Sequence, residues 1–583
     1  MASRNTSKTI PNIIVSLDFG TTYSGYGLAF PEEKIDPQTE LTIYTNPREE
    51  KVPTCVLLNE DKSFHSFGSQ ALDEYIDMDN DERETVYFFR NFKMALYKNR
   101  KLSRDIEVQD EKGKQMSAKL VFQLAMSGLK DIVMGRIKQH HKIENLQNVS
   151  KAIEWMITIP AIWSDSARQF MREAAEGAGI QHDRIRLVLE PEAASLYCRQ
   201  QKLILTDSGA RHRFADGQKY VVADLGGGTI DICVHEITEN GHLKELYRAT
   251  GEDAGGTKVN AAFECFLASL FGRDVVDDLR KTCYERFITQ MRDFEERKKT
   301  FKGTERNIKI RLDPILMKRF ETKSGKSLQK AIEDSNLETK VKYDDDSGRM
   351  TFDTSVIKQF FDGSVQCIIA KLQTIVQECA DDELKTFLLV GGYAESHYLR
   401  DKIREAFPTI DLVLVEDAKL AVIKGSVMMG LEERNIVQRR SRFTYGFRTA
   451  KPFIEGFHPE HFKCIRDGDL SCKKIFDKLI TKGQMLTYNQ KFKNSSSKKL
   501  EQAESKKVAF ITALYRSTKE DPKYCTEEEG CELVGRLVKY PPPNGWPDLL
   551  EIDDHLIVGE TEFTVKTYNK YSGEELQATL DFL

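Results

Sequence analysis

With 583 residues, the chain is long enough for roughly three to four domains with large apolar cores. Its net charge of −5, from 86 basic and 91 acidic side chains, argues against a general nucleic-acid binder, and the Lys- and Arg-rich stretch 295–311 reads as a solvated helix face. No apolar run approaches the roughly 20 residues that span a bilayer, and the polar start at 1–12 lacks an apolar signal core. The 11 cysteines include no Cys-x-x-Cys pair, so neither zinc nor a disulfide framework is expected; Cys525 and Cys531, which bracket an acidic turn, read as reduced thiols. A cytoplasmic location follows, with the nucleus as a further possibility.

Taken in chain order, the first element is Ile13-Ile14-Val15-Ser16-Leu17-Asp18-Phe19-Gly20-Thr21-Thr22, a β-branched run with an aspartate and a glycine–threonine turn, followed by a second apolar run at 25–30. This predicts a strand–turn–strand hairpin. A strand at 155–159 ends at Pro160; Ser164 then caps a helix whose apolar positions recur three and four apart until Gly179 stops it. A strand at 185–189 leads into Glu190-Pro191 and a helix from 192 to about 200, with Pro191 expected to hold Glu190 extended. The hairpin pattern then returns as Tyr220-Val221-Val222-Ala223-Asp224-Leu225-Gly226-Gly227-Gly228-Thr229, with its second run at 230–237.

After this second hairpin come predicted helices at 259–271 and 275–302, a strand at 386–390 entering Gly391-Gly392, a helix at 395–407 and an apolar closing helix at 418–431. The order implies an α/β fold in two lobes, about 12–205 and 206–415, together a nucleotide-binding unit over 12–434. Residues 432–442 read as a charged linker. From 443 to 583 the helical periodicity gives way to alternating segments at 508–515, 531–538, 549–558, 562–568 and 576–583, which predict a β-sandwich. Within it, 472–479 reads as a short helix and 494–507 as a flexible polar loop.

Two facing hairpins of this kind can hold a polyphosphate from both sides. Glycine lets backbone N–H groups approach phosphate oxygens, threonine adds a hydroxyl, and each aspartate places a negative charge that makes sense if Mg²⁺ lies between. A single glycine-rich turn would be an ordinary turn; the paired copies point to a duplicated nucleotide clamp.

Leu17-Asp18-Phe19-Gly20-Thr21-Thr22, Asp224 to Asp231, Glu190-Pro191 followed by Ala193-Ala194, and Leu389-Val390-Gly391-Gly392 resemble the ATPase domain of the 70-kDa heat-shock family, within the actin-like (ribonuclease H-like) ATPase superfamily. Gly392-Tyr393-Ala394-Glu395-Ser396, Ser441 to Gly446 and Ile465-Arg466-Asp467-Gly468 are more similar to its divergent heat shock 70 kDa protein 12 branch. The resemblance is strong over about 12–434 and weaker to 583, where 479–486 and 554–583 look like the peptide-binding sandwich of those chaperones.

The resemblance implies ATP or ADP with Mg²⁺, and K⁺ as a further ion. Asp18 and Asp224 would orient waters of the magnesium shell; Gly20, Thr21, Thr22, Tyr23, Gly226, Gly227 and Gly228 would cradle phosphates. Lys93, a surface lysine by itself, matches the catalytic lysine that neutralises the γ-phosphate, and Glu190, Asp231 and Thr229 would order or polarise water. For Glu190 a plain helix-start role stays open. Gly255, Gly256, Glu295, Lys298, Lys299, Gly391, Gly392 and Tyr393 match the adenosine positions. The chain departs from the family pattern where Glu395 stands for an arginine and Lys419 for an aspartate, so half of a cationic sandwich around adenine is missing. The leucine-rich linker of the family is also not visible, and the sandwich is expected to carry no helical lid. The expected function is a slowly hydrolysing, ATP-binding chaperone that holds extended apolar peptides. Two alternatives remain: a scaffold that uses ATP occupancy as a signal to a dedicated protein partner, and a small-molecule kinase of the same superfamily.

Overall fold

Strands Ile13–Phe19 and Lys219–Leu225 are buried along nearly their whole length, which is why they read as continuous β-branched runs and not as alternations. Each is the centre of its own sheet in the computed structural model, which describes residues 13–31, 42–99, 102–141, 149, 151–201, 204–206, 209, 211–380, 383–415, 417–431, 436–466, 468–500 and 504–583. In the first sheet the strand order is Ile185–Leu189, Ile153–Ile159, Ile13–Phe19, Tyr23–Ala29, Tyr44–Thr45, with Val52–Pro53 also pairing to Tyr23–Ala29. The first three run parallel, and the hairpin closes antiparallel with Asp18 opposite Gly25. Helices Ala118–His141 and Asp165–Gly177 contribute Phe122, Met126, Phe170 and Ala174 to the apolar cluster on this sheet.

The second sheet has nine strands, in the order Arg211–His212, Ile204–Thr206, Asp411–Leu414, Thr386–Val390, Lys219–Leu225, Ile230–Ile237, Leu243–Glu252, Ile436–Arg440, Met485–Thr487. Helix Thr354–Glu378 packs against this sheet, and helices Thr257–Phe271, Arg273–Thr282 and Tyr284–Thr300 join the same aromatic-rich core around Phe263, Phe294 and Phe361. Between the two sheets, helix Glu190–Arg199 packs against helix Ala421–Leu431.

Beyond the two lobes, two further sheets share one core. One runs Lys463–Arg466, Asp469–Ile480, Thr444–Pro452, Phe510–Ser517, Cys531–Lys539, Ala578–Asp581; the other runs Lys491–Lys499, Leu549–Val558, Phe563–Asn569, Glu575–Leu576. Tyr445, Phe447, Leu514 and Leu537 of the first meet Leu556 and Val558 of the second. Cys525 and Cys531 pack with Phe476 as free thiols.

Several expectations are corrected. Residues 472–479 are not helical but lie in strand Asp469–Ile480. A register shift opposite Thr449 and Lys451, with Lys474 at φ 65°, interrupts the alternation there, so buried Cys472, Ile475, Phe476 and Ile480 acquire a spacing that imitates a helix. The first part of the loop expected at 494–507, residues 494–499, belongs to strand Lys491–Lys499, paired over nine residues with Leu549–Val558, while 501–503 lie outside the described residues. It is an edge strand of Ser and Lys, and edges protected by lysine carry no apolar signal. The linker is in part a strand as well: Ile436–Arg440 runs parallel to Leu243–Glu252, while 432–435 lie outside the described residues. Glu190 is the first residue of helix Glu190–Arg199, with Leu189 and not Glu190 as its extended cap. Among the described residues no helix is long and apolar enough to cross a membrane.

Candidate functional site

The two glycine turns meet at the base of the cleft between the lobes. A methyl on Gly227 would lie 2.4 Å from Thr22 Oγ1, and one on Gly228 would lie 2.7 Å from Thr21 Oγ1, so each threonine faces bare backbone of the opposite turn. Thr22 Oγ1 is buried and has no hydrogen-bond partner, a polar atom left for a ligand oxygen. The second turn is locked from behind, since the amides of Gly255, Gly256 and Thr257 donate to the carbonyls of Gly228, Gly226 and Gly227. Gly391 has φ 86°, and a methyl there would lie 2.5 Å from Asp224 Oδ1; the strand end at Val390 can reach the second hairpin only through glycine. Gly392 beside it is open. Gly20 sits in the first turn, and Tyr23 is exposed at its outer end.

Four carboxylates converge here. Asp224 and Asp231 are direct partners across the second hairpin. Asp231 Oδ1 accepts the Ile162 amide at 3.0 Å, and Thr229 Oγ1 approaches Oδ2 at 3.4 Å. Burial, then the Glu190 charge, pushes the Asp231 carboxyl up to about 7. Burial and the same neighbours hold Asp224 well above the usual carboxylate range, and burial raises Glu190. Asp18 goes the other way: burial opposes ionisation, but Lys51, Lys93 and Thr158 together bring it below the ordinary value.

Lys93 is buried, with Nζ 3.0 Å from Glu190 Oε1 and 5.0 Å from the centroid of Trp163. Glu190 is held for this contact by its place at the start of the helix after strand Ile185–Leu189. The ammonium is therefore aimed into the acidic cleft and not at solvent.

The residues expected around adenosine divide into an inner and an outer group. Lys298 is buried; its Nζ donates to the Gly256 carbonyl and Asn260 Oδ1, each at 3.0 Å, and pairs with Glu295 Oε2 at 2.6 Å. Burial lowers its ammonium pKa. The Tyr393 ring lies against Gly256, so Gly256, Glu295, Lys298 and Tyr393 form one wall. Lys299 instead points outward and pairs with Glu296. Lys419 reaches across the cleft to Glu50 at 2.5 Å.

Motif reading missed Lys51, Thr158, Trp163 and Asn260. Lys51 Nζ lies 2.6 Å from Asp18 Oδ2, and Thr158 Oγ1 donates to Asp18 Oδ1 at 2.9 Å. Both Asp18 oxygens are thus engaged, and a magnesium-ordered water on Oδ2 would have to displace an ammonium. Among the described residues no three His, Cys, Asp or Glu side chains are grouped to hold a metal directly. The orphan Thr22 hydroxyl and the bare glycine backbone fit a polyphosphate; Asp18 does not fit a metal shell in this arrangement.

A family model described as Hsp70 protein matches residues 14–408. Heat shock 70 kDa protein 12A of Mus musculus is 29% identical, over 98% of this chain and 91% of its own length. Heat shock 70 kDa protein 12B of Homo sapiens is 28% identical with the same coverage. Chaperone protein DnaK of Endomicrobium trichonymphae is 31% identical over 26% of this chain and 22% of its own.

Proposed function

The chain belongs to the Hsp70 protein family, and from that premise we propose that residues 12–434 bind and slowly hydrolyse ATP while 443–583 hold extended apolar peptides. The observation that carries this reading is the meeting of Thr21 and Thr22 with Gly227 and Gly228 above a buried Lys93–Glu190 pair. Polyphosphate lies between the turns, taking the free Thr22 hydroxyl and turn amides. Lys93 neutralises charge that develops as the terminal phosphoryl group leaves, which is where an oriented ammonium in a dry cleft counts most. Asp231, poised near neutrality and fixed by the Ile162 amide, accepts the proton of the attacking water. Thermal melting with ATP tests the binding step: a ligand of the folded state raises the transition by mass action. An unchanged melting curve at millimolar nucleotide, with unchanged intrinsic fluorescence, would refute it.

Among the described residues, no α-helix follows Ala421–Leu431. A peptide added to an edge of the sandwich is then held by main-chain hydrogen bonds and side-chain pockets, with no α-helix of the described residues over it, and leaves quickly. The scaffold alternative has one observation of its own. The sandwich is fastened to the first lobe by Arg104 with Asp581, Arg186 with Glu560 and Arg172 with Glu562, contacts suited to signalling occupancy to a bound protein. Stopped-flow release of a labelled apolar peptide separates the two. Fast release that ATP alters supports the chaperone, and no peptide binding supports the scaffold. Family membership weighs against the small-molecule kinase, and a cytoplasmic location accords with the reading.

A further inference from the structure

The acidic base of the cleft contains a cation that no motif accounts for. Lys51 is set in place by backbone: Val52 pairs with Ser24 next door, and a methyl on Gly25 would lie 3.0 Å from Lys51 Cγ and 3.2 Å from the Glu50 carbonyl. The stem of the lysine is laid across a bare glycine directly opposite Asp18, and Glu50 is tied over the cleft to Lys419. Its ammonium ends 2.6 Å from Asp18 Oδ2 and is electrostatically coupled also to Glu190 and Asp224. Four carboxylates, Asp18, Glu190, Asp224 and Asp231, thus face two ammonium groups, Lys51 and Lys93, with Arg442 beyond Asp231.

A divalent cation brought to Asp18 would meet the Lys51 charge at short range in a low-dielectric cleft, where like charges repel strongly. A polyphosphate would meet it favourably, since a lysine is a compact point charge well suited to phosphate. We propose that Lys51 is the standing counter-ion of this nucleotide site, so that phosphate binding here is metal-sparing. Lys51 neutralises the bound polyphosphate in the ground state, and Mg²⁺ adds little to affinity. The inference rests on the nucleotide-binding reading of the cleft.

Titration calorimetry of the whole chain with ADP, in excess EDTA or in millimolar magnesium, tests it. Wild-type affinity should differ by less than about threefold between the two, whereas Lys51→Met should bind at least about tenfold more tightly with magnesium than without, and Lys51→Arg should behave as wild type. A second readout uses the metal alone: magnesium without nucleotide should leave wild-type melting unchanged and raise that of Lys51→Met. Wild-type binding that falls about tenfold or more in EDTA overturns the proposal while leaving nucleotide binding intact. So does a magnesium-induced rise in wild-type melting, or an unchanged magnesium dependence in a folded Lys51→Met. Absence of ADP binding in both conditions removes the nucleotide reading and the proposal together. The wild-type arms decide even if the variant does not fold.

Discussion

Asp231 and Asp224 stand opposite each other with Glu190 close by, and the fold keeps a proton on this group that the unfolded chain would release. A carboxyl raised to about 7 from an ordinary 3.8 contributes stability that is complete below the unfolded value and is lost as pH climbs through the folded one. Urea unfolding of the ligand-free protein should therefore show this contribution draining away between about pH 4 and pH 7. Asp231→Asn should flatten that slope and stabilise the ligand-free protein above neutrality by on the order of 2–4 kcal/mol. A variant with the wild-type slope would mean that Asp231 is not the titrating group. Lys93→Ala should lower single-turnover ATP hydrolysis by about 100-fold while changing affinity little. Equal losses would make Lys93 a ground-state ligand only. The glycines and aspartates of both turns were legible because a tight turn between two paired strands imposes local, chain-adjacent requirements. Lys51 and Thr158 were not, because they reach Asp18 from 33 and 140 residues away and stand in no pattern of their own.

Among elements, helices Asp165–Gly177, Thr257–Phe271 and Ala421–Leu431 and the buried parallel strands were readable from apolar spacing, the span expected as one helix at 275–302 is two, Arg273–Thr282 and Tyr284–Thr300, and the β-rich region was readable as strands wherever alternation was clean. It failed at the bulge near Lys474 and along Lys491–Lys499, where polar edge chemistry hides a strand. The two sheets of this region are joined by a wholly buried ion pair, Lys539 with Asp554 at 2.7 Å, satisfied further by Thr512 and Thr567. Removing one partner leaves an uncompensated charge in the core. Lys539→Met should cost about 3–5 kcal/mol in denaturant unfolding, and adding Asp554→Asn should recover much of it. A double variant no more stable than the single one would show that packing around the lysine stem, not its charge, matters there.

Across the whole molecule, the arrangement of the β-rich region on the lobes was invisible in the sequence, because it depends on pairs such as Arg104 with Asp581 that no periodicity marks. These part-exposed bridges are worth about 0–1 kcal/mol each. Arg439 differs: it forms a two-pronged pair with buried Glu192, two residues from Glu190, and faces Glu245, whose carboxyl burial pushes up to about 7. Arg439→Ala should free strand Ile436–Arg440, and hydrogen exchange should rise at 436–440 and at 243–244. Unchanged protection there would show that the main-chain ladder alone holds the strand.

The nine-stranded sheet draws its last two strands, Ile436–Arg440 and Met485–Thr487, from well beyond the clamp. During synthesis at about 5–20 residues per second, the Leu243–Lys244 end of strand Leu243–Glu252 has no neighbour on that side until those segments leave the ribosome. Nascent chains should thus pass through an interval with an open apolar-flanked edge, a moment at which a holding factor on the ribosome would matter more than after release.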